Sequence, residues 1–509
     1  MQGSATGAQA QDARRLGNAG TLRLSGMVKT ARPWLAYVVA VSLALSLLAQ
    51  LPHLADDAWQ DEAATLMVFA AQGFAHAFSD YTMPNNHMLF SATLSLWWSR
   101  GDSVRSARLL PGLVWLLSMA LMIASGRRTL GWPATALGSA LWSGGALTAA
   151  FAVALRGYAF SWPCTLVAFA AAQAFVRDGA WRAGLLFALA CAANLAILPT
   201  NALVSLVCVS AAWLSCRWED GGARRAPLAR ALIALPLGLL GAAVYLPHRE
   251  QLAQHLQHGF SAWSSAQITQ HWLLASSAQY LCLLPLLAYG GWLSWHARQS
   301  HVARDGMRAM VLLAVLIVLI PAFLALAPTP LVPRALVPLL PLWCLALGGV
   351  LAPACVALCA RLRWPETEVL AAAALLFFAL GRVVPACGGL AWRFPPGDDL
   401  CHQYYRDDYH PTAMLSAIAT RFGAAAVLVD PAAHWALEFV QWNRSEHAVR
   451  LLDASLWAQA MGGQLPRLVV GDSAPAASAL LRAITARTPH DMHVVLDSGY
   501  LKLYGVGWR

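Results

Sequence analysis

Between residues 33 and 385 the sequence returns repeatedly to runs of about twenty apolar residues that are nearly free of charge, the length a helix needs to cross a bilayer. No other feature limits the fold so strongly. In hydrocarbon each backbone N–H and C=O must be satisfied within its own segment, so runs of this kind are helices. Candidate spans lie near 34–52, 109–125, 133–151, 158–176, 183–199, 201–216, 231–247, 273–295, 309–327, 335–358 and 366–385, giving about eleven spans. An odd number leaves the two ends of the chain on opposite sides of the membrane.

Composition agrees: of 509 residues, 58% are hydrophobic and 12% charged, against about a quarter charged in a soluble domain. The net charge of +10 therefore has to be placed before it is read as a nucleic-acid signal. Basic residues gather at 14–32, 127–128, 177–182, 217–230, 298–308 and 361–363. With the N-terminus in the cytoplasm, every one of these clusters faces the cytoplasm, as the positive-inside bias requires. The basic charge then marks membrane orientation, and no nucleic-acid partner is expected. The acidic cluster Asp56, Asp57, Asp61 and Glu62 falls on the outer face, the periplasmic side of a bacterial inner membrane.

Residues 1–32 are polar and small and read as a disordered cytoplasmic tail. Residues 33–385 form the transmembrane domain, with an outer loop at 53–108. Within that loop "HMLFSATLSLWWS" is apolar for only about thirteen residues, too short to span, and reads as an interfacial helix. Residues 386–509 alternate strand-like runs ("AAAVLVD", "PRLVVGD") with amphipathic helices and end in a hairpin pattern ("HVVLDSGYLKLYGVGW"). This predicts a small soluble α/β domain in the periplasm. Of ten cysteines, eight lie in or beside spans and read as small apolar residues. Cys387 and Cys401 lie outside in "CGGLAWRFPPGDDLC" and are expected to form a disulfide in an oxidising compartment.

Asp56 and Asp57 read as solvated loop residues or helix caps. Asp61 and Glu62 open an amphipathic stretch that would hold them against the membrane surface, where a carboxylate is costly unless it pairs, binds a cation or moves a proton. His87, Arg108, Arg156 and Arg334 all fall at outer ends of spans, at the depth of lipid phosphates. Each alone reads equally well as a snorkelling or loop residue. Their convergence on one face with the acidic pair favours a site.

Four stretches in order also resemble a known group. "DEA" after the first span, "PNNHMLFSATLSLWW" with "RSARLLPGLVWLL", "ALRGYAFSW" and "VPRALVPLLPLW" are similar to motifs of bacterial GT-C glycosyltransferases. These are relatives of the aminoarabinose transferase of lipid A and of the protein O-mannosyltransferases. The resemblance implies an α-helical polytopic membrane protein with a GT-C-like fold, a polyprenyl-phosphate-linked sugar as donor, and a lipid, glycan or protein acceptor that attacks with inversion. It implies Asp61 as base or acceptor-positioning acid, supported by Glu62. His87, Arg156, Arg334 and Arg108 would hold the donor phosphate, and Tyr158, Asn85 and Asn86 the sugar or acceptor. A divalent metal ion, if one takes part, would sit on Glu62 and His87. The loop reads "NNHMLF" where the family more often has a proline after the histidine. Two rival readings are an envelope polysaccharide ligase or polymerase, and a lipid transporter. A transporter is disfavoured because no inverted repeat is visible and the charges sit at span ends.

Overall fold

The computed structural model describes residues 32–83, 86–219, 226–258, 264–297, 299–327, 331, 333–363, 365–386, 410–422, 426–444, 449–453, 468–472, 484, 492–498 and 501–506. The tail before residue 32, Asn85, Cys387 and Cys401 lie outside them, so the expected tail and disulfide do too.

All eleven predicted spans fall on helical segments, and six helices are long and apolar enough to cross a membrane: Val104–Thr129, Tyr158–Asp178, Pro199–Glu219, Ala226–Gln254, His301–Leu326 and Arg334–Leu362. The protein is a multi-pass membrane protein. Other runs that read as single spans are interrupted. The 133–151 run breaks at Gly145 into Gly131–Gly144 and Ala146–Ala152, and the 273–295 run passes through a 3-10 stretch, Ala278–Leu283, before Leu284–His296. Hydropathy cannot see such breaks, because a 3-10 turn or bend among apolar neighbours changes the hydrogen bonding and not the composition.

The Leu340–Leu362 helix is the centre of the bundle, buried without interruption from Leu340 to Val356. It lies against Gly131–Gly144 where two glycines meet: a Cβ added at Gly348 would fall 2.3 Å from the backbone nitrogen of Gly138. In lipid, where no hydrophobic force drives helices together, such small residues let backbones pack closely. Beside this crossing the Nε1–H of Trp162 donates to the carbonyl of Val337 at 3.0 Å. A buried amide network, in which Asn201 donates to Ser161 and to Asn194, and Asn194 to Thr165, fixes the neighbouring helix ends.

Four of the basic clusters, 127–128, 177–182, 217–230 and 298–308, meet at one end of this bundle. Arg230 donates to the carbonyl of Arg177 at 2.6 Å, and Arg308 pairs with Glu219 and Asp305. Asp61 lies at the other end.

The C-terminal part is a five-stranded sheet in the order β2-β1-β3-β5-β4, with β1 (Ala426–Val429), β2 (Arg450–Asp453), β3 (Leu468–Asp472), β4 (Met492–Ser498) and β5 (Leu501–Val506). β1 runs parallel to β2 and β3, whereas β5 is antiparallel to β3 and β4, giving the expected closing hairpin. Two elements escaped the sequence reading: β2, and the helix Pro431–Arg444. That helix docks the domain onto the outer loop. The guanidinium of Arg100 stacks over Trp442 and donates to its carbonyl, while Asn443 accepts from the Gly101 N–H. Trp59 belongs to the apolar core of the C-terminal domain itself. Asp57, read from the sequence as solvated or capping, accepts from both the N–H and the hydroxyl of Thr412, at 3.1 and 2.6 Å, in the first turn of the helix Pro411–Phe422, a cap supplied across the two domains.

Candidate active site

Asp61 and Glu62 stand side by side on the short helix Gln60–Ala64, where successive side chains point about 100° apart. The fold turns that angle into two separate environments. Glu62 is 1% exposed. One oxygen accepts from the Trp59 N–H at 2.9 Å, the reach-back bond of a capping box, and from Arg108 Nη2 at 2.7 Å; the other accepts from the Leu155 N–H at 2.7 Å. Arg108 in turn donates to the carbonyls of His53, Asp56 and Asp57.

Both placements differ from what the sequence suggested. The Arg108 guanidinium, expected at a donor phosphate, is turned to Glu62 and the loop backbone. Both oxygens of Glu62, expected beside Asp61 in the chemistry or on a metal ion, face N–H donors, and the side chain ties the Asp61 helix to the 153–157 turn. Among the described residues no three His, Cys, Asp or Glu side chains come together as a metal site.

Asp61 points the other way. Its Oδ2 lies 3.1 Å from Arg334 Nη2 and 3.9 Å from Arg156 Nη2. The Arg156 side chain is 2% exposed, those of Asp61 and Arg334 17% each. Residues 61, 156 and 334 thus converge from three remote parts of the chain. Two guanidinium forks face one carboxylate at a shielded but reachable place, the geometry that also suits phosphate oxygens.

His87 completes this wall. Its Nδ1 accepts from the Gly157 N–H at 3.1 Å, which leaves the ring proton on Nε2. Burial, together with the charges of Arg156 and Arg334, holds its pKa well below the usual 6.5, so the ring is neutral. Tyr158 is buried between His87 and Phe151, edge-on to both, with ring centroids 5.0 and 4.9 Å away. Asn86 is 1% exposed, and its amide donates to the carbonyls of Ala77 and Asp80 at 2.8 and 2.6 Å. It therefore ties down the loop leading to His87, a placement inside the loop where the sequence reading expected a sugar or acceptor contact. The segment 87–99 forms the ten-residue helix Met88–Trp97, with Leu96 and Trp97 turned outward.

Sequence reading missed Gly157. A Cβ there would lie 2.5 Å from His87 Nδ1 and 2.6 Å from Ile197 Cγ2, and neither buried neighbour has room to withdraw. Gly157→Ala is expected to lower stability by about 1–3 kcal/mol, the range for overpacking, and to displace His87. Gly112→Ala, whose Cβ would meet only Val153 at 3.9 Å, is the control and should unfold near the wild-type temperature. Thermal unfolding of both purified variants checks this.

His87 also sets a pH response. A histidine kept neutral by the fold takes up its proton more readily when unfolded, so its contribution is complete above about pH 6.5 and is lost as pH falls below that value. Wild-type stability should fall towards pH 5 by up to about 1.4 kcal/mol per pH unit. In His87→Gln this acid limb should flatten; an unchanged slope would mean that other groups carry it.

Most of the chain is similar to solved structures at low identity. ArnT from Cupriavidus metallidurans in the apo state matches at 14% identity and a TM-score of 0.54, over 92% of this chain and 98% of that one. The same ArnT bound to undecaprenyl phosphate matches at 14% identity and 0.52, over 92% and 97%. The chain shares the fold of ArnT. No protein-family model matches the sequence, nor does any curated protein. In this fold Asp61, His87, Arg156 and Arg334 share the end of the bundle remote from its arginine clusters, and the α/β domain sits over that same end.

Proposed function

We propose that this protein is a membrane glycosyltransferase that moves a sugar from a polyprenyl-phosphate donor to an acceptor at the periplasmic face of a bacterial inner membrane. The observation that carries this reading is the meeting of Asp61 with Arg334 and Arg156 within 3.1 and 3.9 Å. It supplies a proton acceptor and a phosphate clamp in one place. The solved ArnT of the same fold that is bound to undecaprenyl phosphate supports the choice of lipid. A polyprenyl tail partitions into the bilayer at about 0.8 kcal/mol per methylene, which brings its phosphate to headgroup depth, and the position of Arg156 and Arg334 at span ends supports a meeting there.

In the proposed reaction an acceptor hydroxyl or amine attacks the anomeric carbon while Asp61 takes its proton. The bond from that carbon to the phosphate oxygen breaks, and polyprenyl phosphate leaves with the electron pair, its charge held by Arg334 and Arg156. One displacement inverts the anomeric centre. The neutral His87 and the rings of Tyr158 and Phe151 form the adjoining wall. Glu62 and Arg108 hold the Asp61 helix in register with the 153–157 turn and do not touch the reacting atoms.

The deciding experiment is mass spectrometry of envelope lipids and glycans from wild-type cells and cells lacking the protein. A single missing sugar mass identifies donor and acceptor together. An unchanged set of glycans and lipids in the deletion strain would remove the proposal.

A further inference from the structure

At the arginine-rich end of the bundle the helices Val104–Thr129, Tyr158–Asp178 and Pro199–Glu219 face one another with small residues, among them Ser125, Ala171, Ala174 and Ser215. A cavity of about 520 Å³ remains between them. Its mouth carries Arg128, Arg177 and Arg308, with Gln173 and Glu219 on the wall. The cavity runs along the Tyr158–Asp178 helix from Val167 to Arg177, and at 1.5 Å per residue its arginine end lies about 30 Å from Tyr158 at the Asp61 site.

We propose that this cavity binds the headgroup of an anionic phospholipid from the leaflet at the arginine end, a site separate from the donor site. The charges favour an anion. Arg308 is shared with Glu219 and Asp305, and Arg177 with its neighbour Asp178 in an exposed pair, which contributes little in water. Arg128 is exposed and makes no ion pair or hydrogen bond with a described residue. The apolar lining favours a lipid over a free phosphate. Leu186 lines the cavity and is 50% exposed, next to the exposed Leu185 and Leu189. A headgroup can therefore enter while its acyl chains stay against the outer surface of the bundle. Basic pockets between spanning helices on the positively charged side are where such headgroups bind.

The test uses the full chain purified in detergent and delipidated, titrated with phosphatidylglycerol, phosphatidylcholine or inorganic phosphate. Retained lipid is read by native mass spectrometry and stabilisation by thermal shift. Phosphatidylglycerol is expected to bind and stabilise, with no shift from inorganic phosphate at the same concentration. Arg128→Gln should weaken that binding about fivefold, the share of one cation at a charged surface. Ala174→Leu, which fills the cavity, should lose it too, while both variants without lipid keep the wild-type unfolding temperature. Sugar transfer should persist in Arg128→Gln, so failure here is separable from failure of the proposed enzyme function. Equal binding of the two lipids, an equal shift from inorganic phosphate, or unchanged phosphatidylglycerol affinity in Arg128→Gln would each overturn the site.

Discussion

Asp61→Asn is expected to abolish sugar transfer while leaving polyprenyl phosphate bound at least as tightly as in the wild type. The amide keeps the size and polarity of the side chain but cannot take a proton, and loss of a positioned general base typically lowers rate about 10²–10⁴-fold. The binding half of the expectation follows from the ion pairs. Asp61 is the carboxylate faced by both Arg156 and Arg334, so neutralising it raises the positive potential that a phosphate meets. Transfer from a purified polyprenyl-phosphate sugar and equilibrium binding of the lipid phosphate, measured on the same preparation, give the two readouts. Full transfer by Asp61→Asn would reject its role as base; lost binding would mean that Asp61 organises the arginines and does not oppose the ligand.

Glu62→Ala is expected to be the most destabilising single change at the site, by about 3–5 kcal/mol, the range for breaking one side of a buried ion pair. It would leave Arg108, 5% exposed, without its carboxylate, and the N–H groups of Trp59 and Leu155 without their acceptor. Buried donors left unsatisfied carry the full desolvation cost. Adding Arg108→Met should cost much less than the sum of the two single changes, because the charge that Glu62→Ala strands is then gone. Unfolding midpoints of the two single variants and the double variant measure this coupling. Strict additivity would show that the pair does not act as a unit, and a stable but inactive Glu62→Ala protein would return Glu62 to the chemistry.

The two predictions concern neighbouring acids that look equivalent in the sequence. What separates them is a helical step of about 100° together with what each side then meets. Arg108 is 46 residues from Glu62, and Arg334 is 273 from Asp61. No local pattern announces either pairing. Asp57 is a similar case: its partner Thr412 comes from the other domain. Arg108, Arg156 and Arg334 all stood out in the sequence at outer ends of spans, yet Arg156 and Arg334 meet Asp61 whereas Arg108 turns inward to Glu62. Gly157 offered only one sign, its place between Arg156 and Tyr158 at the start of a span.

Amino-acid order by itself determined that this chain lives in a membrane, where its helices run, which end of the bundle gathers the arginines, and that a small α/β unit follows. Those features answer to the bilayer, whose thickness and dielectric act on every residue in the same way and so leave a regular imprint. Tertiary structure alone decided which carboxylate is buried and which is presented, which arginines meet it, and where helices break or leave a void. Such outcomes depend on contacts between positions tens to hundreds of residues apart, and these exist only once the bundle has closed.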